Sequence, residues 1–176
     1  MRDRQASQGA RRAREFEAFV AGAAGRLLHA ATLLTAEPPT DNPRARRLLT
    51  LALAHTYASW DRLRGEDPYD RTRQQLAVRF ARGAWHRYGR LRQYGPLRQY
   101  GRSRAVPAGV LAGLSPQERL IVVLRLYEGV AEEQTAALLG LPVERVRTIC
   151  ARAMATLLHP PRRPAPTAVE AEVAPS

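Results

Sequence analysis

The chain is 176 residues long and 45% apolar, with 28 basic residues against 16 acidic ones for a formal net charge of +12. The apolar share supports compact helical cores and excludes a chain disordered throughout, while the charge favours a polyanionic partner: nucleic acid, an anionic membrane or an acidic protein surface. Cys150 is the single cysteine, which excludes an internal disulfide and a cysteine-rich zinc site; with no leader or membrane span read from the sequence, the expected compartment is a reducing cytoplasm.

Residues 1–14 are expected to be a disordered terminus. From Glu15 onward, Phe16, Phe19, Val20, Ala23, Ala24, Leu27, Leu28 and Ala31 recur at three-to-four spacing, which predicts a helix burying one face as far as about Leu34. The breaker cluster Glu37-Pro38-Pro39-Thr40-Asp41-Asn42-Pro43 then predicts a loop. A second apolar stripe, Leu49, Ala52, Leu53, Thr56, Tyr57, Trp60 and Leu63, leads to a turn at Gly65-Glu66-Asp67-Pro68. A third helix is predicted from near Asp70 to beyond Trp85, with Leu76, Phe80 and Ala84 inward. The three make a small bundle over residues 15–92.

Residues 71–104 hold ten arginines and no acidic residue. Every basic residue of the chain is Arg, which pairs bidentately with phosphates and base edges where Lys offers only a point charge. Arg79, Arg82, His86 and Arg90 share one helical face, an arrangement suited to phosphate contact, with a basic solvated face as the plainer alternative. Leu91-Arg92-Gln93-Tyr94-Gly95 returns as Leu97-Arg98-Gln99-Tyr100-Gly101. Two copies are too few for a solenoid, and residues 93–106 read as a flexible basic linker.

A second helical domain is expected over 107–159, followed by a disordered Pro/Ala-rich tail, 160–176. Ser115-Pro116-Gln117-Glu118 is a helix start, with Ser115 as cap, Pro116 at the first helical position and Glu118 completing a capping box. Leu120, Val123, Leu124 and Tyr127 supply its buried stripe and Gly129 its end. Glu132 to Ala153 then has helix-turn-helix spacing: small Ala136 where two helices approach, Gly140 four residues later where the turn needs a positive φ, and Val146 and Ile149 facing the core. The second of these helices starts near Pro142. With Val146, Ile149, Cys150 and Ala153 inward, Glu144, Arg145, Arg147, Thr148 and Arg152 face outward, where a major groove would lie. Arg145, Arg147 and Thr148 are the first candidates for base contact, and Glu144 is able to accept from cytosine.

Leu114-Ser115-Pro116-Gln117-Glu118-Arg119, Val123-Leu124-Arg125-Leu126-Tyr127-Glu128-Gly129, Thr135-Ala136-Ala137-Leu138-Leu139-Gly140 and Arg152-Ala153 resemble region 4 of extracytoplasmic-function sigma factors. Phe16-Glu17-Ala18-Phe19-Val20, Leu33-Leu34-Thr35 and Ala52-Leu53-Ala54-His55-Thr56-Tyr57-Ala58-Ser59-Trp60 resemble region 2, and Trp85-His86-Arg87 the end of its DNA-facing helix. The likeness covers most of residues 15–158. It implies an all-α fold of two small helical domains, a recognition helix reading the promoter element about 35 base pairs upstream of the start, RNA polymerase core as partner, and control by an anti-sigma or other regulatory protein. It also implies that the helix carrying Arg46, Arg47, Thr50 and His55 docks on the polymerase clamp. There family members usually carry a Glu-Asp pair, and Arg46-Arg47 reverse its sign.

Three readings stand at this stage: an alternative sigma factor, a sigma-like DNA-binding regulator without polymerase docking, and a protein-binding adaptor. An enzyme fits poorly. His29, His55, His86 and His159 have no metal spacing and no visible nucleophile partner, Cys150 lies on an inward stripe, and no phosphate-binding glycine loop or cofactor motif is present.

Overall fold

The computed structural model describes residues 2–63, 65–94 and 109–160, with side chains for 6–63, 65–84 and 109–160. Among the described residues all regular structure is helical: α1 (Arg2–Thr35), α2 (Pro43–Ala58), a short 3₁₀ turn (Trp60–Arg62), α3 (Pro68–Tyr94), α4 (Pro116–Val122) running into a π turn (Val123–Tyr127), α5 (Glu132–Leu139) and α6 (Val143–Leu158). The expected second copy of the repeat, most of the linker and residues 161–176 of the tail lie outside the described residues.

Helix α1 reaches back to Arg2, over residues assigned from sequence to a disordered terminus. The reason is tertiary: the Arg12 guanidinium lies 4.4 Å from the Tyr57 ring centroid, donates to the Asp61 carboxylate at 3.0 Å and also bonds the Tyr57 carbonyl. Phe16 and Phe19 close around Trp60 just inside this contact. By length and composition Ala6–Thr35 would suffice to cross a membrane, which the sequence reading overlooked. In the fold, however, its Leu27, Ala30, Ala31 and Leu34 form core.

The breaker cluster is shorter than expected, because α2 starts at Pro43 inside it. Ala36 ends α1 in a left-handed conformation with φ +53°, and Glu37 turns inward to cap the next helix. Its Oε1 accepts from the Arg44 N–H at 3.1 Å and the Arg44 Nε at 2.9 Å, and its Oε2 from the Ala45 N–H at 2.8 Å. Thus a carboxylate six residues before the helix satisfies free N–H groups that Asn42, the local cap position, leaves unbonded.

One core cluster joins Ala23, Leu27 and Ala31 of α1, Ala45, Leu49 and Ala52 of α2, and Leu76 of α3. Thr56 sits on this apolar stripe because its hydroxyl shares a 2.8 Å bond with that of Thr72. Helix α3 extends to Tyr94, so Gln93 and Tyr94, expected at the start of the linker, are helical instead. The C-terminal helices gather around Leu120, Ile121, Val123, Leu124, Val146, Ile149 and Ala153, and their cluster also takes in Ala30 and Leu34 of α1 and Ala77, Phe80 and Ala81 of α3. The second of these two clusters thus takes side chains from both expected helical units.

Candidate nucleic-acid interface

The C-terminal unit is built around the turn between α5 and α6. Gly140 ends α5 at φ +65°, the left-handed conformation the spacing predicts. Leu141 N–H then bonds the Ala136 carbonyl at 3.0 Å, and Pro142 is the cap of α6 rather than its first residue. Val146, Ile149 and Ala153 are buried to 0–3% exposure. Each of the two larger side chains gains about 1.5–3 kcal/mol from burial, so the rotation of α6 about its own axis is strongly determined. Cys150 is half-buried on the same side, where burial pushes its thiol pKa up. That is the environment of a packed thiol, not a reactive one.

This rotation leaves Glu144, Arg145, Arg147, Thr148 and Arg152 exposed together. Their side chains are not equivalent. Arg147 binds Glu132 at 3.0 Å and Glu144 at 2.8 Å, and Glu132 also meets Arg125 at 3.4 Å. The chain Arg125, Glu132, Arg147, Glu144 thereby fastens the π turn, the start of α5 and the recognition helix to one another. Arg152 Nε donates to Glu118 at 2.9 Å, tying α6 to the first turn of α4. Burial alone would raise the Glu118 carboxyl, but bonds from the Ser115 hydroxyl, the Ser115 backbone and Arg152 outweigh it and hold the pKa low. The predicted capping box is complete, with Glu118 N–H to Ser115 Oγ at 3.3 Å and Ser115 N–H to Glu118 Oε2 at 2.9 Å. Thr148 spends its hydroxyl proton on the Glu144 carbonyl at 2.8 Å. Arg145, alone of these arginines among the described residues, forms no ion pair or side-chain hydrogen bond.

Two of the four α3 candidates have described side chains. Arg82 is exposed, whereas Arg79 is half-buried with an enclosed, unbonded Nε. The side chains of His86 and Arg90, like that of Trp85, lie outside the described residues. On α2, Arg46, Arg47 and Thr50 are exposed on the face that also carries Ala54 and Leu51, the latter 43% exposed; His55 stands half-buried at its edge. Arg46 Nε donates to Asn42 Oδ1 at 3.0 Å. Among the described residues no carboxylate neutralises Arg47, so the reversed charge is presented outward.

Sequence reasoning missed a third group. The side chain of Glu128, 1% exposed, ends the π turn pointing into the N-terminal bundle. Its oxygens accept from Tyr69 Oη at 3.0 and 2.9 Å and face Arg26 at 3.6 Å and Arg73 at 3.9 Å. Burial, then the bond and charge of Glu128, push the Tyr69 hydroxyl pKa well up. A lone glutamate before a helix-ending glycine carries no pattern that would pair it with residues 55 to 102 positions away.

Residues 110–159 match the family described as Sigma-70, region 4. The RNA polymerase sigma-E factor of Streptomyces coelicolor is 32% identical over 153 residues, covering 81% of this chain and 84% of that protein. This chain belongs to the extracytoplasmic-function family of RNA polymerase sigma factors. The sigma-E factor of Streptomyces avermitilis is 30% identical over 153 residues, 81% of this chain and 83% of its own length. The fold of this sigma factor is similar to that of RpoE from Bartonella quintana, solved in complex with the anti-sigma factor NepR: TM-score 0.59 at 19% identity, covering 81% of this chain and 94% of that one. An alternative sigma factor, a protein of transcription initiation, is thus the reading that stands among the three that sequence left open.

Proposed function

We propose that this sigma factor brings RNA polymerase core to promoters by laying α6 in the major groove upstream of the start, with Arg145 as the principal base-reading side chain. The supporting observation is the free, exposed guanidinium of Arg145 in the first turn of a helix whose opposite face is fixed by full burial. Thr148 lies one turn further along. Arg147 and Arg152 hold the helix in place and offer their remaining donors to phosphate, and Glu144 screens Arg147 until DNA competes for it. Arg79, Arg82, His86 and Arg90 supply phosphate contacts from the N-terminal bundle. The work is recognition and recruitment without catalysis or a cofactor, in the cytoplasm on nucleoid DNA. An anti-sigma protein is the expected regulator, as the structural relative is held by one.

Docking on polymerase falls to the α2 face of Arg46, Arg47, Thr50, Ala54 and Leu51, with His55 at its margin. Purified protein mixed with core polymerase and genomic promoter fragments should give run-off transcripts. Arg46→Glu with Arg47→Asp should strengthen association with core if the family's docking surface is retained. Absence of transcripts with every fragment would refute sigma activity, and no gain from the charge swap would move docking to another surface.

A further inference from the structure

Residues 109–160 carry five arginines and five glutamates, so the segment that holds the recognition helix is formally neutral, whereas the chain stands at +12 and residues 1–108 carry that entire surplus. General attraction to a polyanion thus comes from elsewhere in the chain. On α6 the balance is struck around one side chain. Arg147 donates from Nε and Nη2 to Glu132 Oε2 at 3.2 and 3.0 Å, and from Nη1 to the two oxygens of Glu144 at 2.9 and 2.8 Å. All three nitrogens are engaged by two carboxylates, and of the N–H groups of a guanidinium only part of the outer Nη1–Nη2 edge is left over. The two carboxylates are not held alike. Glu132 opens α5, its side chain is 24% exposed, and Arg125, itself bonded to the Val130 carbonyl, meets it at 3.4 Å from the other flank. Glu144 is 79% exposed in the first turn of α6, where an ion pair yields to a competitor at small cost.

We infer that Glu132 is a specificity-determining residue of DNA binding: anchored by Arg125, it keeps Arg147 from grasping phosphate on an arbitrary duplex and leaves only its outer edge for a duplex on which α6 sits in register. The inference rests on the reading of α6 as the recognition helix and deepens it. A phosphate that nears Arg147 also nears Glu132 and Glu144, and the like charges repel. On an arbitrary sequence nothing offsets that repulsion, and Arg147 adds nothing to affinity. On a matching one the base contacts of Arg145 hold the helix in the groove and Glu144 swings away. The outer edge of Arg147 then meets a phosphate, while Glu132 keeps the inner edge and with it the direction of the side chain. The phosphate contact is thereby made conditional on sequence, which phosphate contacts by themselves are not.

The test uses the full chain bound to core polymerase and two duplexes: the genomic fragment that the parent retains most strongly, and the same fragment with its upstream segment scrambled. Affinity for each is titrated over a range of salt concentrations. Glu132→Gln keeps the size of the side chain and an oxygen for Arg147 but removes the charge. It should bind the scrambled duplex about threefold more tightly at low salt, with a slope of log affinity against log salt steeper by about 0.9, the mark of one added phosphate contact. Affinity for the promoter fragment should change less, so the preference between the two falls. Glu132→Asp, which restores the charge, should return slope and preference toward the parent. If Glu132 does no more than fasten helices together, Glu132→Gln lowers both affinities alike and leaves the slope unchanged, and that result overturns the inference. Should Glu132→Gln lose helical circular dichroism, Glu144→Gln decides, since its side chain is exposed and its change should move slope and preference in the same direction. A parent that binds the two duplexes alike refutes the reading of DNA by α6 and the inference with it. A parent that discriminates, with variants that discriminate equally, overturns the inference alone.

Discussion

Two side chains show how the same residue type is put to different use. Arg145 and Arg147 are two positions apart on α6 and both exposed, yet Arg147 is engaged by Glu132 and Glu144 and Arg145 by nothing among the described residues. Arg145→Ala should therefore lower affinity for promoter DNA by about tenfold with no change in thermal stability, whereas Arg147→Ala should lower both; calorimetry beside a DNA-binding titration separates them. Equal losses of stability would place Arg145 in the scaffold. Glu37 makes a different kind of contribution. Burial alone would raise its carboxyl, but hydrogen bonds from the Arg44 side chain, the Ala45 and Arg44 backbone and the Thr35 hydroxyl hold it below its usual 4.5. A carboxyl whose folded pKa is depressed stabilises the fold fully above the unfolded value and loses that contribution as pH falls through the folded one. Melting temperature should thus drop below pH 4.5 in the parent. In Glu37→Gln it should be lower at neutral pH and flatter through the acid range; parallel curves for the two proteins would exclude Glu37 as a source of acid sensitivity.

At the scale of elements, termini and turns decide where helices point. A Cβ on Gly140 would meet no atom within 4 Å, so the need for glycine is conformational: φ +65° is a region that residues with a side chain rarely adopt. Gly140→Ala should cost about 1–2 kcal/mol in urea unfolding, and because the turn sets the angle of α6 it should weaken DNA binding further than stability alone explains. An unchanged unfolding midpoint would show that the turn relaxes freely. The helix-turn-helix was legible in sequence because each of its devices is local: Ala136, Gly140 and Val146 lie within eleven residues. The start of α2 was not, since its cap is a glutamate on the far side of two prolines. Nor was the N-terminal extension of α1, which depends on an arginine meeting an aromatic ring and a carboxylate more than forty residues on.

For the whole molecule, the net charge of +12 makes association with DNA a matter of ionic strength as much as of sequence. The logarithm of affinity should fall linearly with that of salt concentration, and Arg82→Gln should shallow the slope by about 0.9 while leaving fragment preference intact. A slope unaffected by this change would remove α3 from the phosphate-contacting surface.

Periodicity, caps and glycine placement by themselves determined that the chain is helical, where the recognition helix lies and which of its faces points outward, because these follow from contacts within a turn or two along the chain. Only the tertiary structure decided which arginines are occupied, that Glu37 caps α2, and that Glu128 binds the opposite unit. Those outcomes depend on which charges meet across separations of up to a hundred residues, and a linear pattern does not encode that distance.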